Sequence, residues 1–259
     1  MRIHFIAIGG SAMHNLAIAL HNAGHTVTGS DDQIFEPSYS RLKEKGLLPE
    51  KEGWQASRID KELDAIILGM HARKDNPELV RGQELGINMY SYPEFLYEVS
   101  KDMTRVVIAG SHGKTTTTSL VTSIFQKTKL DPTIINGGVI NSIKSSAKLG
   151  KSDWSILEAD ESDGSFVHIP PTYSIITNID REHMDFYKSM KELKNYFIQF
   201  LDKVPSFGKS FICIDDKMNI ELIKDLKTKN FYTYGSNLKS NFLIKNIKQN
   251  KKYTDFDLI

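Results

Sequence analysis

Lys114 stands between Gly113 and Thr115 in the stretch VVIAGSHGKTTTTSL, Val106 to Leu120. A lysine flanked in this way, set between an apolar strand and a helix, is the pattern of a phosphate-binding loop. Free backbone N–H groups and the helix dipole favour an anion there, the lysine reaches β- and γ-phosphates, and the hydroxyl of Thr115 ligates Mg2+. Gly110, Ser111, His112, Gly113, Lys114, Thr115 and Thr116 form the expected ATP-binding loop. One position departs from the usual spacing, because the first glycine of the pattern falls on Ile108. A second block, SILEADESD, carries Glu158 and Asp160 to one face of a strand end, since side chains alternate along a strand. Carboxylates beside a phosphate loop are oxygen ligands for Mg2+. His183, in IDREHMD, also follows an apolar strand and so lies at a carboxyl edge, where α/β sheets bind ligands. By itself, a lone histidine reads as a packed or surface residue.

The third candidate is N-terminal. AIGGSA fits a loosened dinucleotide fingerprint with Ala7, Gly9 and Ala12 in the glycine places, and Asp31 and Asp32 follow at roughly the distance of its acidic residue. On these residues alone, a nicotinamide enzyme is an equal reading of this half.

These residues need a scaffold that repeats strand, turn and helix. RIHFIAIGG, SAMHNLAIALHNAG and HTVTGSDD make one βαβ unit, and LDAIILGM, NPELVRGQELG, INMYS and PEFLYEVSK continue it, with Pro77 and Pro93 near helix starts. The alternation restarts at RVVIAG and runs through a helix from Lys114, strands PTIIN, DWSILEAD and TYSIITNI, helix SMKELKNYFIQFLDKV, strand KSFICID, helix MNIELIKDLK and strand NFYTYG. The expected class is α/β with parallel sheets, divided at the polar link KDMTR into domains 1–103 and 104–259. The chain stops inside LIKNIKQNKKYTDFDLI, which reads as an alternating strand, so a fragment is expected.

Composition narrows the partners. The 33 Lys and Arg nearly balance 32 Asp and Glu, so no global field attracts nucleic acid or an anionic membrane, and any anion must be held locally. The N-terminal apolar stretch is interrupted by His4, His14, Asn15 and His21 well short of a membrane-spanning length. The single cysteine, Cys213, excludes an internal disulfide and suits a reducing cytoplasm.

GSHGKTTTT resembles the shortened loop of the Mur ligases, ATP-dependent enzymes that add amino acids or peptides to UDP-N-acetylmuramate. Those usually read Gly-Thr-x-Gly-Lys-Thr, so Ser111 departs but keeps a hydroxyl. The resemblance extends through IHFIAIGG, DNPEL (75–79), NGGVINS (136–142), LEADESDGSF (157–166) and TNIDREHMDFY (177–187). It implies a Rossmann-like first domain that binds the UDP-sugar, a P-loop-type central domain that binds ATP, and a third, C-terminal domain that is absent here. It further implies that Gly9, Gly10 and Ser11 cradle the diphosphate, with Asp31, His71 and Asn136 on the UDP-sugar side. Asp160, Glu161 and Ser162, with Asp163, would lie near the muramyl group. Lys114, Glu158 and His183 would be catalytic, Thr115, Glu158 and His183 would hold two Mg2+ ions with His183 helping to hold the second, and Asn178 would lie on the ATP edge. Some sister ligases carry a carbamylated lysine, for which SMKELKNYFIQF shows no clear counterpart. The implied reaction activates a carboxylate as an acyl phosphate for attack by an amine. The first half resembles the branch that joins murein tripeptide and the second half the branch that joins L-alanine, so the acceptor is L-alanine or a murein peptide. Two other classes remain open on sequence: a binding module without turnover, and an unrelated P-loop ATPase with a nicotinamide-type first domain.

Overall fold

The structure, a computed structural model, describes residues 1–69 and 72–259. Its backbone contacts separate two compact units, Met1–Lys101 with Asp131–Ser152, and Asp102–Leu130 with Asp153–Ile259.

The first unit runs β1 (Arg2–Ile6), α1 (Ser11–Asn22), β2 (Thr26–Ser30), α2 (Ser38–Glu44), β3 (Ala65–Leu68), α3 (Pro77–Leu85), β4 (Asn88–Ser91) and α4 (Tyr92–Ser100). These four strands form a parallel sheet in the order β2-β1-β3-β4. The apolar run Ile3, Phe5, Ile6 makes β1 a central strand, and Met13, Leu16, Ala17 and Leu20 place a buried stripe on α1 at helical spacing. Asn76 starts α3 by accepting from the N–H groups of Glu78 and Leu79, and Pro77 occupies the first turn, where its missing N–H costs nothing. Ser91 and Glu94 form a reciprocal cap on α4.

A carboxylate lies under this sheet. Glu78 is fully buried and accepts from His4 Nε2 (3.3 Å), the Gln55 N–H (2.9 Å), Arg58 Nη1 (3.3 Å) and the Ser30 hydroxyl. Burial alone would push the Glu78 carboxyl up, but the bonds from His4, Gln55 and Ser30 outweigh it and hold the group below its usual range. The network ties β1, β2 and α3 together.

The second unit opens with β5 (Thr104–Ala109) and α5 (Lys114–Gln126). The following segment, β6 (Thr133–Ile140) and β7 (Ser145–Lys148), clusters with the first unit and forms an antiparallel pair with a register shift between Ile135 and Ile140. The strand expected at PTIIN therefore continues across Gly137 and Gly138 and turns back on itself. The second unit resumes with β8 (Trp154–Glu158), β9 (Tyr173–Ile176), α6 (Met184–Tyr187), α7 (Met190–Leu201), β10 (Lys209–Cys213), α8 (Lys217–Asp225), β11 (Phe231–Gly235), β12 (Phe242–Gln249) and β13 (Thr254–Leu258). Strand order is β13-β12-β11-β10-β9-β5-β8, parallel except for the antiparallel terminal pair β12–β13. Leu193, Phe197, Phe200 and Leu201 bury one face of α7, where Phe166 packs on Phe197 and Phe200 with ring centroids 5.0 and 5.3 Å away. Each such side chain contributes roughly 2 kcal/mol of burial. Among the described residues, no helix is long and apolar enough to cross a membrane.

Candidate active site

Ile108, the residue that breaks the usual loop spacing, is fully buried in β5 and pairs with Glu158 on β8 and Ile175 on β9. The strand simply continues through the position where a longer loop would begin. The chain turns at Gly110, whose φ of +139° lies in a region open to glycine, and a Cβ there would stand 2.1 Å from Thr177 Oγ1. Gly113, at φ +80°, opens α5.

Five hydrogen bonds staple this loop to the segment after β9. The Ser111 N–H donates to Asn178 O (3.0 Å) and the His112 N–H to Asn178 Oδ1 (2.9 Å). Asn178 Nδ2 and Thr177 Oγ1 donate to His112 O at 3.0 and 2.7 Å, and the Asp180 N–H donates to Ser111 Oγ at 2.9 Å. Asn178 thus shapes the loop with both ends of its amide. His112 also points a ring nitrogen at Asp180, 3.1 Å away. The Arg181 N–H and then His112 hold the Asp180 carboxyl below its usual range.

Lys114 turns inward. Its Nζ donates to Gly110 O (2.7 Å), Ser111 O (3.3 Å) and Glu161 Oε2 (2.6 Å). The Lys114 side chain is 13% exposed and that of Glu161 only 1%. Burial pushes the Glu161 carboxyl above the usual range, and the hydrogen bond and charge of Lys114 oppose this without cancelling it. Thr115 Oγ1 donates to Glu158 Oε1 at 3.0 Å. Asp160 accepts the N–H and hydroxyl of Ser162 at 3.1 and 3.0 Å, closing the turn after β8. His183, at φ +55°, brings Nε2 to 3.7 Å from Glu161 Oε1, and ligand atoms of Glu161, Glu182 and His183 lie within 4.8 Å of one another. The Tyr187 hydroxyl donates to Glu161 O, and burial pushes its phenol up.

The structure therefore gathers Lys114 with Glu161, Thr115 with Glu158, and His183 with Glu161 and Glu182, all beside the loop. Carboxylates, a hydroxyl and a buried carboxylate oxygen, Glu161 Oε1, with no hydrogen-bond partner among the described residues suit a hard cation that takes oxygen ligands. Glu182, Thr177, Asp180 and Tyr187 were not singled out from sequence. The carboxylate next to His183 was a usable signal, whereas the staples depend on a fold that brings positions 111–112 to 177–180.

In the first unit, the Gly9 N–H donates to Asp31 Oδ2 at 2.7 Å, and Gly10 caps α1 without a side-chain bond. Ala7 takes φ +68° where the fingerprint has glycine. Burial raises the Asp31 carboxyl to about 6. Asn136 is buried and donates to Gly138 O at 2.9 Å. It belongs to the first unit, and Asp160, Glu161 and Ser162 to the second. His71 lies outside the described residues.

A glycine cradle at the edge of one parallel sheet, and a lysine loop facing strand-end carboxylates in a second unit, define a nucleotide-binding α/β protein of the P-loop kind. The profile described as "Mur ligase family, catalytic domain" matches residues 2–104, and "Mur ligase middle domain" matches residues 108–259. The chain belongs to the Mur ligase family. It is 55% identical over 259 residues to the UDP-N-acetylmuramate--L-alanine ligase of Pelagibacter ubique, covering 99% of this chain and 54% of that protein. It is 40% identical over 256 residues to the ligase of the same name from Parvibaculum lavamentivorans, covering 99% and 52%. The chain thus spans about half the length of the curated relatives it matches. Among solved structures, it resembles the UDP-N-acetylmuramate:L-alanyl-gamma-D-glutamyl-meso-diaminopimelate ligase from Neisseria meningitides, with a TM-score of 0.84, 26% identity, and coverage of 99% of this chain and 84% of that one. The UDP-N-acetylmuramate-alanine ligase from Thermotoga maritima shares the fold at TM-score 0.77 and 24% identity, with coverage of 95% and 55%.

Proposed function

We propose that the protein is the nucleotide-handling part of an ATP-dependent ligase of peptidoglycan precursor synthesis, which activates the carboxylate of UDP-N-acetylmuramate for attack by L-alanine. The observation that carries this reading is the shortened loop, with Lys114 turned to Glu161 in the turn after β8 and Thr115 to Glu158 at the end of that strand. The name of the 55% identical relative supports L-alanine as the acceptor, and the 26% identity to the tripeptide ligase leaves a murein peptide as the second reading. Residues 1–103 form the UDP-sugar domain and 104–259 the ATP domain of this proposal, and the protein works in the cytoplasm.

The geometry and the family resemblance together support these roles. The carboxylate of the sugar attacks the γ-phosphorus of ATP and releases ADP, and the amine then displaces phosphate from the acyl phosphate. Lys114 turns from its present acceptors to β- and γ-phosphate oxygens and offsets their charge. Thr115 and Glu158 would hold one Mg2+ and His183 would help to hold a second, and the two ions would supply further positive charge at the transferring group. Asn178 and Thr177 fix the loop through Ser111 and His112, and the N–H groups at the start of α5 are left to meet the phosphates. Gly9, Gly10 and Ser11 present the first turn of α1 to the UDP diphosphate, and the turn carrying Asp160, Glu161 and Ser162 meets the muramyl group. No side-chain nucleophile is needed.

The test is calorimetric titration of ATP with Mg2+ into the chain and into Lys114→Ala. A charge-assisted contact of about 1.5–3 kcal/mol predicts roughly 10- to 100-fold weaker binding by the variant. Equal affinity in both would overturn the reading.

A further inference from the structure

Glu161 is out of water and only half used. Its side chain is 1% exposed, and Oε2 takes the Lys114 ammonium at 2.6 Å. Oε1 has no hydrogen-bond partner among the described residues and faces His183 Nε2 at 3.7 Å. The Tyr187 hydroxyl pins the backbone carbonyl of Glu161, so the side chain pivots from a fixed point.

Lys114 is fully used. Its ammonium has three protons, and Gly110 O, Ser111 O and Glu161 Oε2 supply three acceptors. A phosphate oxygen therefore reaches Lys114 only by displacing one of them. Glu161 is the acceptor whose negative charge opposes the incoming phosphates. Once released, however, it would be a buried carboxylate without a counter-charge, which is strongly unfavourable. Glu182 and His183 already stand with it in a cluster of the right size for a small cation, so its second partner is within reach.

We propose that Glu161 changes partner with nucleotide occupancy: it neutralises Lys114 while the loop is empty, and a divalent cation held with His183 and Glu182 takes it over when Lys114 turns to the phosphates. The inference rests on the ATP reading of the loop. It gives Glu161 a positioning role in loading the site and links cation binding to the movement of Lys114.

Two titrations test it on wild type, Glu161→Gln and Glu182→Gln. One is ATP in EDTA, followed by calorimetry. The other is Mn2+ into protein saturated with a non-hydrolysable ATP analogue, followed by electron paramagnetic resonance. Glu161→Gln should bind metal-free ATP severalfold tighter, because no carboxylate competes for Lys114, and should bind Mn2+ at least about tenfold more weakly. Glu182→Gln, which leaves the Lys114–Glu161 pair in place and keeps the proposal testable if the first variant folds poorly, should lower Mn2+ affinity alone. Opposite signs in the two titrations of Glu161→Gln would support the exchange. Parallel loss in both, or unchanged Mn2+ affinity, would overturn it and mark Glu161 as a structural counter-ion. Failure of the wild type to bind ATP with or without Mn2+ would overturn the ATP reading and this inference with it.

Discussion

Replacing Asp31 with asparagine should change how the stability of the first unit depends on pH. Asp31 is 8% exposed, and burial raises its carboxyl to about 6 from 3.8, while the Gly9 and Asp32 N–H bonds pull it back only in part. About two pH units at 1.36 kcal/mol each set a ceiling near 3 kcal/mol, and partial contact with water reduces the expected effect to about 1–2 kcal/mol. The unfolded chain releases this proton near pH 4, whereas the folded unit keeps it until about pH 6. The folded state therefore binds more protons between those values, and the Asp31 contribution to stability falls as pH rises through the window and stays low above it. Asparagine removes the charge and keeps an oxygen that accepts the Gly9 N–H. Trp54 lies in the first unit and Trp154 in the second, so urea unfolding followed by fluorescence in a Trp154→Phe background reports the relevant transition. Relative to the parent, Asp31→Asn should gain about 1–2 kcal/mol between pH 4 and pH 7 and no more beyond. A difference that is flat with pH would refute the assignment of a raised carboxyl at this position.

Other expectations follow from the loop. Gly110→Ala forces a Cβ to within 2.1 Å of Thr177 Oγ1 at a strained φ, so it should cost about 1–3 kcal/mol in urea unfolding of the second unit and abolish measurable ATP binding by calorimetry. Lys114→Ala leaves the buried Glu161 carboxylate unpaired and should lower stability by about 3 kcal/mol near neutral pH, with much of the loss recovered in acid as that carboxyl protonates. Tyr187→Phe removes the hydrogen bond to Glu161 O and should cost about 1 kcal/mol, measured by the same unfolding assay.

Local features were the ones legible in the sequence. The β1–α1–β2 unit can be read because Ile3, Phe5 and Ile6 form an apolar run and α1 repeats its buried residues at helical spacing. The phosphate loop can be read for the same reason, since strand, glycines, lysine and helix are contiguous. Its departure at Ile108 is a strand residue, a distinction that needed the pairing of Ile108 with Glu158 and Ile175. α2 is not legible in the sequence because Leu42 is its only buried large apolar residue among the described residues, so the segment carries no stripe. β7 is a four-residue polar strand whose identity comes from its partner β6 rather than from its own composition. The Lys114–Glu161 pair spans 47 positions, and the resemblance placed Glu161 near the substrate because nothing local shows which way its side chain turns. Likewise, the joining of Asn136 to the first unit reflects contacts distant in sequence.

Calorimetric titration of UDP-N-acetylmuramate into this chain, with NADH as the control, tests the central claim most directly. The glycine cradle at Gly9 and Gly10 is shared by both ligand classes, and only the ligand distinguishes them. Saturable binding of the sugar nucleotide with none of NADH is the predicted result. Binding of NADH without the sugar nucleotide would contradict the account of the first unit and remove the proposed substrate.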